Sequence, residues 1–334
     1  MSDKFYENKE KRIQWIDELK GYAIISVIFY HSNLASELPL ISQWITSFHM
    51  ALFYVLSGYC YNETKYKGKF YEFVITKVRA LIIPFLGFSV LYSFLGILSS
   101  DISTIFEFIE CVCNGSTSAV WFLLSLFWIE LITWLLFEFN LNLRQRFIVV
   151  SVLLCVVFYL ITMRIGMWFR IEQSLLGLFY FSLGTMCKEL KLFQNKNKSK
   201  NVLVGFSSLI LGSIAAFTNG EVIYSRMQFG KHTCVGALVI PSLISLGLML
   251  LFSNAKSSKV SFYGRNTLII LCTHQLVLAI FQKMIFNALG NSLLSEIVAF
   301  LIVFLVQIPI IYASNTVKKI IKNFCESHTI VNLQ

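Results

Sequence analysis

The chain has 334 residues, of which 56% are hydrophobic, 15% aromatic and only 14% charged. A soluble domain carries about 25% Asp, Glu, Lys and Arg, so this chain, with 31 Phe and a mean hydropathy of +0.69, lacks the residues to coat a wet surface. That excludes an ordinary water-soluble enzyme and points to an all-α integral membrane protein. Its formal charge of +10 must then be located along the chain before any acidic partner is inferred from it.

Residues 1–19 are polar and read as a cytoplasmic segment. The apolar run behind them contains a histidine and no small-x-small cleavage site, so the first helix is expected to be retained rather than cleaved. Ten apolar stretches are long enough to cross about 30 Å of hydrocarbon as helices. They lie near 20–37, 43–61, 79–99, 119–139, 147–163, 172–189, 202–219, 233–253, 266–286 and 294–314, and 315–334 reads as a second cytoplasmic tail. The basic residues test this count independently, because short translocated loops are depleted in Lys and Arg. Of the 28 cations, 23 fall in alternate segments, leaving only Arg164, Arg170, Arg226, Lys231 and Lys283 in the others. Ten spans with both termini cytoplasmic fit that alternation and describe a multi-pass protein of the cell membrane. The basic stretch 191–201 is a solvated loop, no internal repeat is visible, and one membrane domain accounts for residues 1–334.

Five cysteines (Cys60, Cys155, Cys187, Cys234 and Cys272) lie in or beside apolar segments, where a thiol is a small hydrophobe. Cys111 and Cys113 share an outer loop, but one intervening residue makes a bridge between them sterically poor. No spacing resembles a zinc site, so no metal is expected.

Ionisable groups at membrane depth cost about 2.5 to 3.5 kcal/mol each and need a reason. His31 lies about 16 Å from the cytoplasmic edge at Lys20, His49 about 10 Å below the outer edge, and His274 about 12 Å from the inner edge. Each alone is equally consistent with a hydrogen bond between helices. Three at similar depth point to a site, provided the helices are neighbours. Asp17, Lys20, Ile24 and His31 share one helix face, since eleven residues at about 100° bring His31 to within about 20° of Lys20. Asp17 stands about 21 Å from His31, too far to orient it. Arg12, Lys20, Lys77 and Arg79 cluster at the cytoplasmic edge, where they suit either a donor's phosphates or lipid headgroups. Trp121 is a belt anchor or a platform for a sugar ring. Glu130 faces a cavity or pairs with another helix, and Ser57 lacks a nucleophile-elbow pattern.

Arg12, Trp15, Asp17, Lys20 and Gly21 followed by His31; the run from Phe48 and His49 to Ser57 and Gly58; Lys77, Arg79, Leu81 and Pro84; Trp121 to Leu123; and Gly264 to Leu268 followed by His274 stand in order along the chain. In this it resembles the membrane acyltransferase-3 family, in particular the branch of fucose 4-O-acetylase-like and exopolysaccharide O-acetyltransferases. Ala80 departs from the pattern, since many relatives carry another Arg or Lys there. The resemblance implies transfer of an acyl group, usually acetyl from cytoplasmic acetyl-CoA, to a hydroxyl of a cell-surface carbohydrate or its precursor. It makes His31 the essential histidine, expected to act as general base or else as a transient acyl carrier, with Arg12, Lys20, Lys77 and Arg79 seating the acyl-CoA. His49, Trp121, Asn266 and His274 become candidate acceptor contacts, and Asp17 a structural residue. The expected partners are acyl-CoA, a carbohydrate acceptor and membrane lipids, with no nucleic acid and a homo-oligomer left open. The competing reading is an exporter or flippase of a polysaccharide or lipid-linked sugar; a weaker third is a scaffold docking a separate cytoplasmic enzyme.

Overall fold

A computed structural model of the chain describes residues 13–194, 198–253, 255, 258–290 and 292–331. Arg12 therefore lies outside the described residues. Apart from a short antiparallel hairpin of β1 (Val222–Ile223) and β2 (Gln228–Phe229), the regular structure is helical. In chain order the helices are α1 (Gln14–His31), α2 (Leu34–Glu37), α3 (Pro39–Thr46), α4 (His49–Cys60), α5 (Phe70–Lys77), α6 (Ile83–Leu98), α7 (Ile105–Asn114), α8 (Trp121–Glu138), α9 (Leu143–Met163), α10 (Ile171–Glu189), α11 (Lys198–Asn219), α12 (Ile240–Phe252), α13 (Val260–Arg265), α14 (Thr267–Leu289) and α15 (Leu293–Val331).

Among the described residues of this polytopic array, eight segments are long and apolar enough to cross a membrane: Pro39–Cys60, Phe70–Leu98, α8, α9, α11, Val235–Phe252, α14 and Leu293–Ile320. The other two expected stretches are α1 and α10, with 18 and 19 residues. They carry more charge, Asp17, Glu18 and Lys20 in α1 and Glu172, Lys188 and Glu189 in α10. At the C-terminal end α15 runs on past the expected limit at 314 to Val331, because no Pro or Gly between 315 and 331 interrupts it.

The first two stretches are broken where their polar residues fall. Helix α1 stops at His31, Ser32 is extended (φ −88°, ψ 155°), and α2 is a separate turn. Ser32 Oγ donates to the Phe29 carbonyl (2.7 Å) and Asn33 Nδ2 to Glu296 Oε1 on α15 (3.1 Å), so side chains replace part of the helical ladder. Between α3 and α4, Phe48 leaves helical geometry (φ −141°, ψ −22°) and the helix restarts at His49.

Two π-helical turns, Val78–Ile82 and Val235–Val239, each precede a proline, Pro84 and Pro241. A proline ring clashes with the carbonyl four residues back, here Ala80 and Ala237, and a locally widened turn relieves the clash. One freed carbonyl is taken up, since the Tyr180 hydroxyl donates to Ala237 O.

Helices α1, α4 and α10 form the interior, with Ile24, Ile28, Tyr54, Leu56, Leu176 and Tyr180 fully buried. Glycines let main chains touch: a Cβ at Gly264 would overlap the Asp17 carbonyl where α13 meets α1, and one at Gly184 the Val55 carbonyl where α10 meets α4. At the periphery α9, α11 and α15 turn Val152, Leu203 and Leu301 outward, a surface that matches lipid tails and needs no protein cover.

Candidate active site

The C-terminal end of α1, the start of α4 and the body of α14 bring the three histidines together. The His31 and His274 rings are 5.2 Å apart between centroids, and Tyr30 stands 5.2 Å from His31 and 5.7 Å from His49. The condition that their helices be neighbours is therefore met.

Their hydrogen bonds fix where the ring hydrogens are. A main-chain carbonyl can only accept, so the Nδ1 of His49, 2.9 Å from Ile45 O, carries a hydrogen. The same holds for Nδ1 of His274, 2.9 Å from Ile270 O and 3.0 Å from Leu271 O. In the neutral form each ring thus keeps its lone pair on Nε2, and the His274 Nε2 is buried without a partner. His31 is held the opposite way. The Ala119 N–H can only donate, so the Gln275 atom 2.9 Å from it is Oε1, and the amide nitrogen faces His31 Nδ1 at 3.0 Å. His31 Nδ1 accepts that N–H, and the neutral ring carries its hydrogen on Nε2. With Nδ1 accepting from Gln275, a neutral His31 ring offers an N–H rather than a lone pair at Nε2. The free lone pairs belong to His49 and His274. Gln275, which sequence reading missed, is legible only as the residue after His274; its role needs the fold.

Cavities approach this cluster from both ends. At the end bearing Lys20, an apolar cavity of about 270 Å³ runs between α1, α4, α8 and α14, past Ile24, Phe53, Ala80 and Leu126 to Val27 and Leu271. Val27, Met50 and Leu271 also line a narrow space of about 50 Å³ bordered by His31, His49 and Trp121. Beyond it a polar cavity of about 890 Å³ opens at the opposite end, lined by His31, Ser118, Trp121, Arg170, Glu221 and Gln275 among others. Thr117 Oγ1 and Ser118 Oγ in its wall are buried without hydrogen-bond partners, groups suited to a hydroxylated ligand.

The basic edge is divided. Lys77 Nζ is 2.7 Å from Glu130 Oε2, with 21% and 11% of the two side chains exposed. This resolves the open alternatives for Glu130 as a helix pair and takes Lys77 out of the cations free for a donor. Arg79 is exposed and makes no ion pair among the described residues; it lies in the π turn whose Ala80 and Leu81 line the apolar cavity. Lys20 lines the same cavity and lies 3.9 Å from Cys60 Sγ. Ser57 also borders it.

The remaining candidates separate. Trp121, at the start of α8, borders the polar cavity, stacks on Tyr224 at 13° and lies 5.7 Å from the Arg170 guanidinium. Asn266 is not brought to the histidines. It precedes α14 by one residue, about 12 Å along the helix from His274, and donates to Phe262 O (2.7 Å). Asp17 contributes its carbonyl to the contact with Gly264. The carboxylate that ties α1 down is its neighbour Glu18, which accepts from the N–H (2.9 Å) and hydroxyl of Ser258.

Helix α7 fixes the far rim. Thr104 and Glu107 cap it reciprocally, and the N–H of Ser103 holds the Glu107 carboxyl below its usual range. At its other end Asn114 accepts from the Phe169 N–H and from Arg170 Nε, each at 2.7 Å.

Residues 13–315 match the model of an acyltransferase domain, that of the acyltransferase-3 family at large rather than of one branch. No match was found among curated proteins or solved structures.

Proposed function

The chain belongs to the acyltransferase-3 family of membrane acyltransferases, and from that premise we propose that it is an O-acyltransferase of the cell membrane. It moves acetyl from cytoplasmic acetyl-CoA to a hydroxyl of a cell-surface glycan or its lipid-linked precursor, as in the fucose 4-O-acetylase-like branch. Ten spans with both termini cytoplasmic put the end bearing Lys20 in the cytoplasm. One observation carries the reading. The apolar cavity suits the long thioester arm of the donor, the polar cavity suits a sugar, and the narrow space between them is bordered by His31 and His49.

The chemistry follows from the hydrogen positions. As the acceptor oxygen attacks the thioester carbonyl, its proton passes to the bare Nε2 of His49, which borders the narrow space. The Nε2–H of His31 donates to the oxygen that becomes negative in the tetrahedral intermediate. Collapse breaks the C–S bond, the proton held on His49 neutralises the departing thiolate, and ester and free coenzyme A remain. Arg79 and Lys20 attract the coenzyme phosphates at the cytoplasmic mouth, with Arg12 a further candidate.

The test uses purified protein in proteoliposomes with acetyl-labelled coenzyme A inside and surface glycan from the same cells outside. Label is expected to appear on the glycan as an alkali-labile ester, and not with His31→Ala. Label that stays on coenzyme A while glycan crosses the bilayer would establish the exporter reading instead.

A further inference from the structure

Three arginines gather where the sequence places few cations. Of the five outside the basic segments, Arg164, Arg170 and Arg226 line one cavity of about 620 Å³ between the loop joining α9 to α10 and the β1–β2 hairpin. Arg170, Ser225 and Arg226 also line the 890 Å³ cavity beside His31, so the two spaces share a wall.

This wall is built rather than incidental. Arg170 donates from Nε to Asn114 O (2.7 Å) and from Nη1 to Ser225 O (3.2 Å), and its guanidinium lies over Trp121. Gln173 is 98% buried, donates to Ser225 O (3.1 Å) and leaves Oε1 in the cavity wall with no partner. Arg164 and Arg226 are exposed and pair with no carboxylate among the described residues. The cavity's one acidic residue, Glu172, is buried and accepts the Met167 N–H (3.2 Å). Glu221 borders the larger cavity only. Arg170 is held by two carbonyls and lies near Glu172, while Arg164 and Arg226 add two further cations to the same lining, so the cavity carries an excess of positive charge that favours an anion. The unpartnered Gln173 oxygen asks for a hydroxyl donor beside that anion.

We propose that the acceptor is an acidic glycan. Its carboxylate or phosphate sits in the 620 Å³ cavity against Arg164, Arg170 and Arg226, while the hydroxyl to be acylated reaches into the larger cavity toward His31 and His49. This rests on the acyltransferase reading and adds the substrate class. The anion fixes the glycan's register across the shared wall, so that one hydroxyl out of several reaches the reaction centre.

The test measures binding without chemistry. Full-length protein in phosphatidylcholine nanodiscs is titrated with glucuronate, glucose 6-phosphate and glucose, followed by saturation-transfer NMR. One or both acidic probes are expected to bind about tenfold or more tightly than glucose, and whichever does so names the group. In the Arg164→Gln, Arg226→Gln double variant this advantage is lost while glucose binds as before, which shows that the fold is kept. Arg226→Glu is expected to reverse the preference. Equal binding of all three probes by the wild type overturns the proposal. So does loss of the acidic-probe advantage when phosphatidylglycerol is added to the discs, because the cavity then belongs to a lipid phosphate. Transfer of acetyl to a neutral glycan with no acidic preference sinks the acidic-acceptor proposal and leaves the acyltransferase reading standing. Arginine-dependent acidic binding without any acetyl transfer does the reverse.

Discussion

The cavities on the two sides of His31 differ in what their walls demand. Toward Lys20 the lining is aliphatic and aromatic, with Lys20, Ser57 and Thr267 the polar exceptions. On the other side it is dominated by hydroxyls, amides and charges, with the hydroxyls of Thr117 and Ser118 buried without partners. An apolar wall leaves a flexible arm unanchored except at its charged end, whereas a polar wall fixes a ligand's orientation. Under the proposed function, this contrast assigns donor and acceptor to cavities governed by different physics, with the imidazoles between them. Each variant below should disturb one side and spare the other, or strike the junction.

The junction should give the largest effect. His31→Ala is expected to lower acetyl transfer by about 10³-fold while donor binding, followed with a non-hydrolysable acetyl-CoA analogue, stays intact. Next, Gln275→Leu should cost about 10²-fold by freeing His31 to take the other tautomer. In Gln275→Glu, a carboxylate accepts from both the Ala119 N–H and His31 Nδ1, which moves the ring hydrogen off Nε2. Nitrogen-15 NMR of histidine-labelled protein reads this directly; an unchanged His31 tautomer in the Glu variant would remove Gln275 as the positioning residue.

The basic edge offers an internal contrast. Lys77→Ala strands the Glu130 carboxylate and should cost about 3 kcal/mol of stability, seen as early thermal aggregation in detergent. Arg79→Ala should leave stability unchanged and raise the acetyl-CoA KM about tenfold. Equal thermal behaviour of the two variants would mean that the Lys77 pair does not persist in the membrane.

Smallest are the changes confined to one wall. Ala80→Phe narrows the apolar cavity and should raise only the donor KM, by about tenfold or less, whereas Trp121→Ala should raise only the acceptor KM by a similar factor. A donor effect from Trp121→Ala would break the division between the two sides.

Much of the architecture was legible because a bilayer leaves few options: a run of apolar residues must be a helix, and its flanking charges label it. Most of the apolar stretches reappear as helices, although the one expected at 79–99 begins at Phe70 and the last extends to Val331. The break at 32–33 was foreshadowed by the polar run His31, Ser32 and Asn33, whereas the one at 47–48 was not legible, because hydrophobicity alone would continue that helix. Ser32 and Asn33 at the first break line the polar cavity. Within the site, His31, His49, His274 and Trp121 stood out as polar or aromatic residues in unusual places, and the fold joins them. Asn266 stood out equally, and its side chain bonds back to Phe262 of α13. Gln275 and Glu18 looked ordinary, since an amide or carboxylate shows its purpose only through its partner, here Ala119 with His31 and Ser258.

By itself the sequence determined the membrane class, the family motifs and the identity of the imidazoles, because these depend on composition and on spacing along one helix. Only the tertiary structure decided which ring nitrogen bears each hydrogen, that Lys77 is held by Glu130, and that three arginines from two separate loops face one cavity. Hydrogen bonds and ion pairs act over about 3 Å in space, and residues 31 and 275, or 164 and 226, are brought within one site by helix packing alone.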